Sequence, residues 1–403
     1  AIDSNNNLIL DKNDTYFYPN ENDIFLIDVT LFSNRIPTLD LSKSYKSYAM
    51  NIANTKFKFF VSNNAKPSKV YANNKFSKKK FRIEENFSQS LSPSTNNLPI
   101  IKKINNKIKI YEGDIFVKSD LIIKDEVKIR KGTTFYLSKG SSIIFKNKVH
   151  AEGSINRPII FKEFDKDKKW GAIAIHGLKS KGSIFKNIII DGGTGDTVNG
   201  INYFASLSIH STEDIDFKNV VIKNNHDYDD MVHIIYSNNL SFQELHILNS
   251  YRDAIDIDIS KNIYFKNSKI FKSGNDGFDL MESTVTLDNI FISSAVDKGI
   301  SVGEGSKLNL YNSTIENSNY GLASKDSSKV NIYNSLFKDN KIQLSTYKKN
   351  WRYGESGSIE MKISKISSKK DNLIIGDKNG SIKILSSDIS GKLKKKGNVT
   401  YVN

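Results

Sequence analysis

Between Ile215 and Leu344 the chain repeats itself six times, and no other feature narrows its possible folds as much. In register the copies read IDFKNVVIKNN, LSFQELHILNS, IYFKNSKIFKS, VTLDNIFISSA, LNLYNSTIENS and VNIYNSLFKDN. The apolar marks Ile222, Ile247, Ile270, Ile292, Ile315 and Phe337 are separated by 25, 23, 22, 23 and 22 residues. Within each copy apolar and polar residues alternate, as at Val285 and Leu287, which suits half-buried strands rather than helices. A unit of two or three short strands cannot bury its own apolar face. Stacked at about 4.8 Å per parallel strand, such units share one core. The fold expected is an all-β parallel β-helix.

A column of asparagines fixes the same register independently. Asn187, Asn219, Asn267, Asn289, Asn312 and Asn334 occupy one position of successive coils, with Glu244 as the interruption. Asparagine tolerates left-handed backbone, and its amide can bond the identical amide one coil away.

The repeat also divides the 403-residue chain. Residues 1–65 carry strand-like runs (Ile24–Val29, Phe57–Val61) outside the repeat and are expected to form a small N-terminal β element. Residues 66–107 turn Lys-, Ser- and Asn-rich and read as a basic linker. The solenoid is expected over 108–345, with residues 192–203 lengthening one coil over a functional face. Residues 346–403 are expected to form worn final coils and a cap, ending near Lys392–Lys396.

Composition narrows the partners. Lys plus Arg exceed Asp plus Glu by 59 − 44 = 15, a balance that favours polyanions. No nucleic-acid module and no aromatic stacking platform accompany the basic runs, so acidic polysaccharide or cell-surface glycan is the expected partner. With no cysteine there is no disulfide framework, and no apolar run is long enough to span a bilayer as a helix. The chain opens on Ala1 without a basic, apolar leader, which fits a mature secreted chain or a fragment. An extracytoplasmic location is expected: secreted, periplasmic or cell-surface.

The strands and the asparagine column resemble the right-handed parallel β-helix superfamily, which includes pectate and alginate lyases, polygalacturonase-type glycosidases and bacterial surface proteins. The resemblance implies a right-handed solenoid and a site on one wall. Aligning the second run of each coil, DMVHIIY, DAIDIDI, DGFDLME, KGISVGE and YGLASKD, gives an outward column His233, Asp256, Asp279, Ser301 and Ala323, because strand side chains alternate. Asp258 is the next outward position of its own run. Three residues earlier, Asp230, Asp253, Asp276, Lys298 and Tyr320 form a second column.

Carboxylates one coil apart repel by roughly 3 kcal/mol at an effective dielectric near 20. Three remedies are open: neutralisation by Arg252 and Lys298, a Ca²⁺ ion among the oxygens, or a retained proton on one carboxyl. The tract NDGFD at Asn275–Asp279 is similar to the polygalacturonase motif, which implies a catalytic role for Asp276. The matching pair on the next coil is Asp297-Lys298, where a second aspartate is replaced by lysine, and neither Gly-His-Gly nor Arg-Ile-Lys follows. Uronate β-elimination therefore leads, with Asp253, Asp256, Asp276 and Asp279 as Ca²⁺ ligands and Lys298 as base, Arg252 or His233 as alternatives. Asp230, Asp258, Ser301 and Tyr320 would contact substrate. Glycoside hydrolysis, epimerisation and a non-catalytic binding or adhesion rod are the alternatives. So is the plain reading, in which these aspartates close turns and the cations balance them.

Overall fold

The computed structural model describes residues 107–110 and 112–402 apart from 226, 228 and 370; towards the N terminus it describes only the strands Phe25–Ile27, Tyr45–Ile52, Thr55–Ser62, Val70–Asn73, Lys80–Ile83, Ser88–Ser90 and Ile101–Ile104. The first six of these form two three-stranded sheets. The rest of the stretches read as N-terminal element and linker, and His226, lie outside the described residues. The chain divides into two compact units, residues 1–94 with 197–202, and residues 95–196 with 203–403.

The second unit is a right-handed parallel β-helix of about 12 turns. One wall is a twelve-stranded sheet paired in chain order. Its strands are β1 (Leu121–Ile123), β2 (Ile143–Phe145), β3 (Ile173–His176), β4 (Ala205–His210), β5 (Asp230–Ile235), β6 (Ile255–Asp258), β7 (Phe278–Met281), β8 (Lys298–Gly303), β9 (Tyr320–Lys325), β10 (Ile342–Tyr347), β11 (Asn372–Ile375) and β12 (Leu393–Lys396). A twenty-three-stranded sheet supplies the remaining walls.

The core follows from in-register stacking. Ile257 lies between Ile234 and Leu280, and Ile222 pairs with Ile247 and that with Ile270. Phe217, Phe242 and Phe265 stack at 4.6 and 4.5 Å between centroids, with ring planes within 7°. Identical residues one coil apart thus fill one continuous apolar interior.

The bends are built from polar side chains. The asparagines of the column take positive φ between 48 and 55°, and Glu244 does the same at 60°. Asn219 donates to Asn187, Asn289 to Asn267 and Asn334 to Asn312, each at 2.7 Å. Asn312 instead donates to Asp288 at 2.7 Å, so the amide ladder breaks there. A second ladder runs inside. The buried hydroxyls of Ser260, Ser283 and Ser306 accept the N–H of Ser237, Ser260 and Ser283, each at 3.0 Å, satisfying backbone donors that the bend removes from the sheet.

Candidate active site

Strands β4 to β10 carry the candidate wall. Position by position the register stacks Ser208, His233, Asp256, Asp279, Ser301, Ala323 and Ser345 in one outward column. Asp256 and Asp279 are therefore neighbours one rung apart, on the same side. The apolar positions flanking them, Ile255 and Ile257, Phe278 and Leu280, are buried.

The column is open over only part of its length. His233 and Ser301 are 3% and 0% exposed, so Ser301 faces outward by parity yet is sealed from solvent. Among the described residues its hydroxyl has no hydrogen-bond partner. Asp256 is partly exposed, and the side chains of Asp258 and Asp279 are 18% and 35% exposed. Solvent meets the wall at these three carboxyls.

The second acidic column behaves differently. Asp253 Oδ1 accepts the N–H of Asp276 at 2.6 Å and the amide of Asn275 at 2.8 Å. Asp276 Oδ1 accepts the N–H of Lys298 at 2.9 Å, and the Lys298 ammonium lies 3.5 Å from the same oxygen and also pairs with Asp297. These carboxylates link one rung to the next, which is the turn-closing role. Asp230 and Asp276 are buried. Tyr320 follows Lys298 in the same column. Arg252 is turned to Asp229, at 3.6 Å, with 63% of its side chain exposed.

The protonation states follow from burial and neighbours. Burial, reinforced by Asp258, Asp279 and Asp253, pushes Asp256 up to about 9. Among the described residues nothing offers Asp256 a hydrogen bond or a cation, so it is a neutral carboxylic acid at neutral pH. Burial also raises Asp276, to about 7 with Lys298 opposing, and raises Asp253 and Asp230. Burial alone would lower Lys298, but Asp276 and Asp297 outweigh it and hold the ammonium above its ordinary range. Lys298 is consequently a protonated counter-cation, not the free amine that a base requires. Lys325, 3% exposed, lies 3.8 Å from Asp279.

The four aspartates expected to hold Ca²⁺ do not converge. Among the described residues, the set of side chains that brings ligand atoms within 4.8 Å of one another is His233, Asp256 and Asp258. One of its donors is a nitrogen, whereas Ca²⁺ takes six to eight oxygens, and Asp253 and Asp276 spend an oxygen each on backbone N–H groups. The expected Ca²⁺ set does not fit a single ion.

A histidine group on the same wall is not apparent from residue spacing. His176 pairs with His210 in register, and His210 packs edge-on against His233 at 5.2 Å. The Tyr203 hydroxyl lies 2.9 Å from His176 Nδ1 and 3.4 Å from the Lys146 ammonium. Burial, with neighbouring cations and imidazoles, pushes His176 and His210 down to about 4 and 3, so both rings are neutral. Placing the IAIH and LSIH tracts in the coil register would have found them.

Residues 230–398 match the family described as the right handed beta helix region. No curated protein matches the chain in sequence. Similar solved structures include an alginate lyase from Paenibacillus sp. str. FPU-7, at 11% identity and TM-score 0.44 over 69% of this chain and 93% of that one. A polygalacturonase from Erwinia carotovora ssp. carotovora is 14% identical with TM-score 0.44, over 73% and 99%. The Streptococcus pneumoniae surface protein and adhesin PfbA is 14% identical with TM-score 0.36, over 72% and 89%. Likeness at that level carries no activity from one chain to another. Among the described residues no helix is long and apolar enough to cross a membrane.

Proposed function

We propose that this protein binds an acidic polysaccharide along the outer face of β5 to β9, outside the cytoplasm, and cleaves it by β-elimination. The observation that carries the reading is the state of Asp256: a half-buried residue whose carboxyl is raised to about 9, beside the more open carboxylate of Asp279 on the next rung. Two carboxyls on adjacent rungs with different environments divide the acid and base roles. Asp279 takes the proton from the carbon next to the uronate carboxylate. The bond to the glycosidic oxygen breaks as that oxygen takes the proton of Asp256, and a carbon–carbon double bond remains. Lys298 and Lys325, one and two rungs on, bias the local field towards the negative charge that develops on the uronate. The surplus of 15 basic residues over acidic ones favours the approach of a polyanion. No step requires a metal ion.

A second reading is hydrolysis. It is favoured by the same pair, since one rung of about 4.8 Å is near the roughly 5–5.5 Å carboxyl separation of retaining glycosidases. Incubating the protein with polygalacturonate, alginate and glycosaminoglycans separates the two. Absorbance from new double bonds identifies elimination, and new reducing ends without that absorbance identify hydrolysis. If neither appears on any of these polymers across the pH range, the wall is a binding surface and the enzymatic reading falls.

A further inference from the structure

The segment between β10 and the next strand, Ser358–Lys362, breaks the 22-residue rhythm and turns back along the solenoid. The Tyr353 hydroxyl donates to Glu282, in the turn just after β7. That turn lies three rungs before β10, about 14 Å at the strand spacing. The segment thus runs along the rim of the wall where β7, β8 and β9 end, level with the rung that holds Asp279.

It is fixed at several points. Asp326 Oδ1, fully buried, accepts the N–H groups of Lys349 and Asn350 at 2.6 and 2.7 Å. The Lys348 ammonium donates to the Gly354 carbonyl at 2.6 Å. Three hydrogen bonds join Ser327 and Glu355: the Ser327 N–H and hydroxyl donate to the Glu355 carbonyl at 2.7 and 3.3 Å, and the Glu355 N–H donates to the Ser327 hydroxyl at 2.9 Å. A strap held in this way has lost its conformational freedom before any ligand arrives. On it Trp351 stands 82% exposed, with the Arg352 guanidinium 5.8 Å from its ring centre. Lys348, Lys349 and Arg352 are exposed on the same strap.

We infer that Trp351 and Arg352 form a binding subsite for one sugar ring of an acidic polysaccharide, a few sugar units along the polymer from Asp256 and Asp279. The indole covers the apolar face of the ring, and the surrounding cations take its carboxylate. An exposed aromatic surface on a rigid strap, flanked by cations and continuous with the acidic wall, matches a polymer that is apolar on ring faces and anionic at ring edges. The inference rests on the proposed polysaccharide substrate but not on cleavage.

The chain supplies its own reporter. Its other tryptophan, Trp170, is 0% exposed, so acrylamide quenching of tryptophan fluorescence reads Trp351. Asp256→Asn, which should bind without cutting, is titrated with polygalacturonate and alginate, and with dextran as a neutral control. Quenching should fall about twofold with a polyuronate and stay constant with dextran. Trp351→Ala in the same background should weaken binding by about tenfold, equivalent to 1.4 kcal/mol, and Trp351→Phe should restore most of it. If calorimetry shows a polyuronate binding while quenching is unchanged, the subsite is not at Trp351, and the proposed cleavage stands or falls separately. Protection without cleavage in the wild type keeps the subsite and removes the enzymatic reading. No binding by either polyuronate overturns the inference.

Discussion

Lys298 stands on Asp276: its backbone N–H and its ammonium reach one carboxylate oxygen, at 2.9 and 3.5 Å. The same ammonium pairs with Asp297, so a lysine placed where a catalytic base was expected serves as the keystone of a bend. Asp276 is 1% exposed, and removing its partner leaves a buried carboxyl uncompensated. Lys298→Met should cost about 3–5 kcal/mol of unfolding free energy. Asp276 is raised above its unfolded value, so the folded state binds the extra proton and stability falls as pH rises from about 4 through about 7. Without the ammonium that fall extends to higher pH, and urea titration should find a larger loss at pH 8 than at pH 5.

Asp256 obeys the same sign. Its folded value, near 9, lies above the unfolded one, so it destabilises the protein progressively between about pH 4 and pH 9. Asp256→Asn keeps the shape and removes the conflict with Asp258 and Asp279. The variant should be more stable than wild type by about 1–3 kcal/mol at pH 8 and nearly equal to it at pH 4. A variant less stable at pH 8 would mean that the carboxyl is charged and partnered.

Cleavage should fade on the alkaline side as Asp256 loses its proton. The kcat/KM profile is expected to drop with an apparent pKa near 9, and Asp256→Asn should lower kcat by at least about 100-fold. A flat profile through pH 10 would remove Asp256 as the proton donor.

Divalent cations distinguish a proton from a metal at this wall. Millimolar Ca²⁺ or a chelator should move the melting temperature by less than about 1 °C, whereas an ion at 100 times its Kd would add about 2.7 kcal/mol. A large rise that disappears in Asp256→Asn or Asp279→Asn would place a cation, not a proton, between these carboxyls.

The aromatic stack gives a test of the solenoid itself. Phe242 lies between Phe217 and Phe265 with its ring fully buried. Phe242→Ala empties one rung and removes both stacking contacts, which should cost about 3–5 kcal/mol by denaturant titration. A loss under about 1 kcal/mol would show that the coils do not pack as a continuous column.

How much of this was legible follows the reach of each signal. The alternation of DAIDIDI and DGFDLME fixed which side chains leave the core, and the repeat length fixed which of them meet, so Asp256 above Asp279 was readable in advance. Alternation is blind to what lies beside a residue. Ser301 obeys the outward parity and is nonetheless sealed, and Asp253 and Asp276 resemble ligands in composition but bond to the backbone of the next rung. The serine ladders were missed because serine is ordinary in any bend. The partner of each hydroxyl, an N–H one coil earlier, has no mark in the sequence.

The sequence alone determined a parallel β-helix, its phase, and the pairing of coils, because a period of about 22 residues with alternating apolar positions can bury its surface only by stacking on itself. Tertiary structure decided which of the stacked carboxyls is solvated, which is neutral and which is bound to backbone. It also returned a strap bearing Trp351 to the rim of a wall three rungs earlier. Those outcomes depend on desolvation and on contacts between residues up to 71 positions apart, quantities that exist only once the coils are assembled.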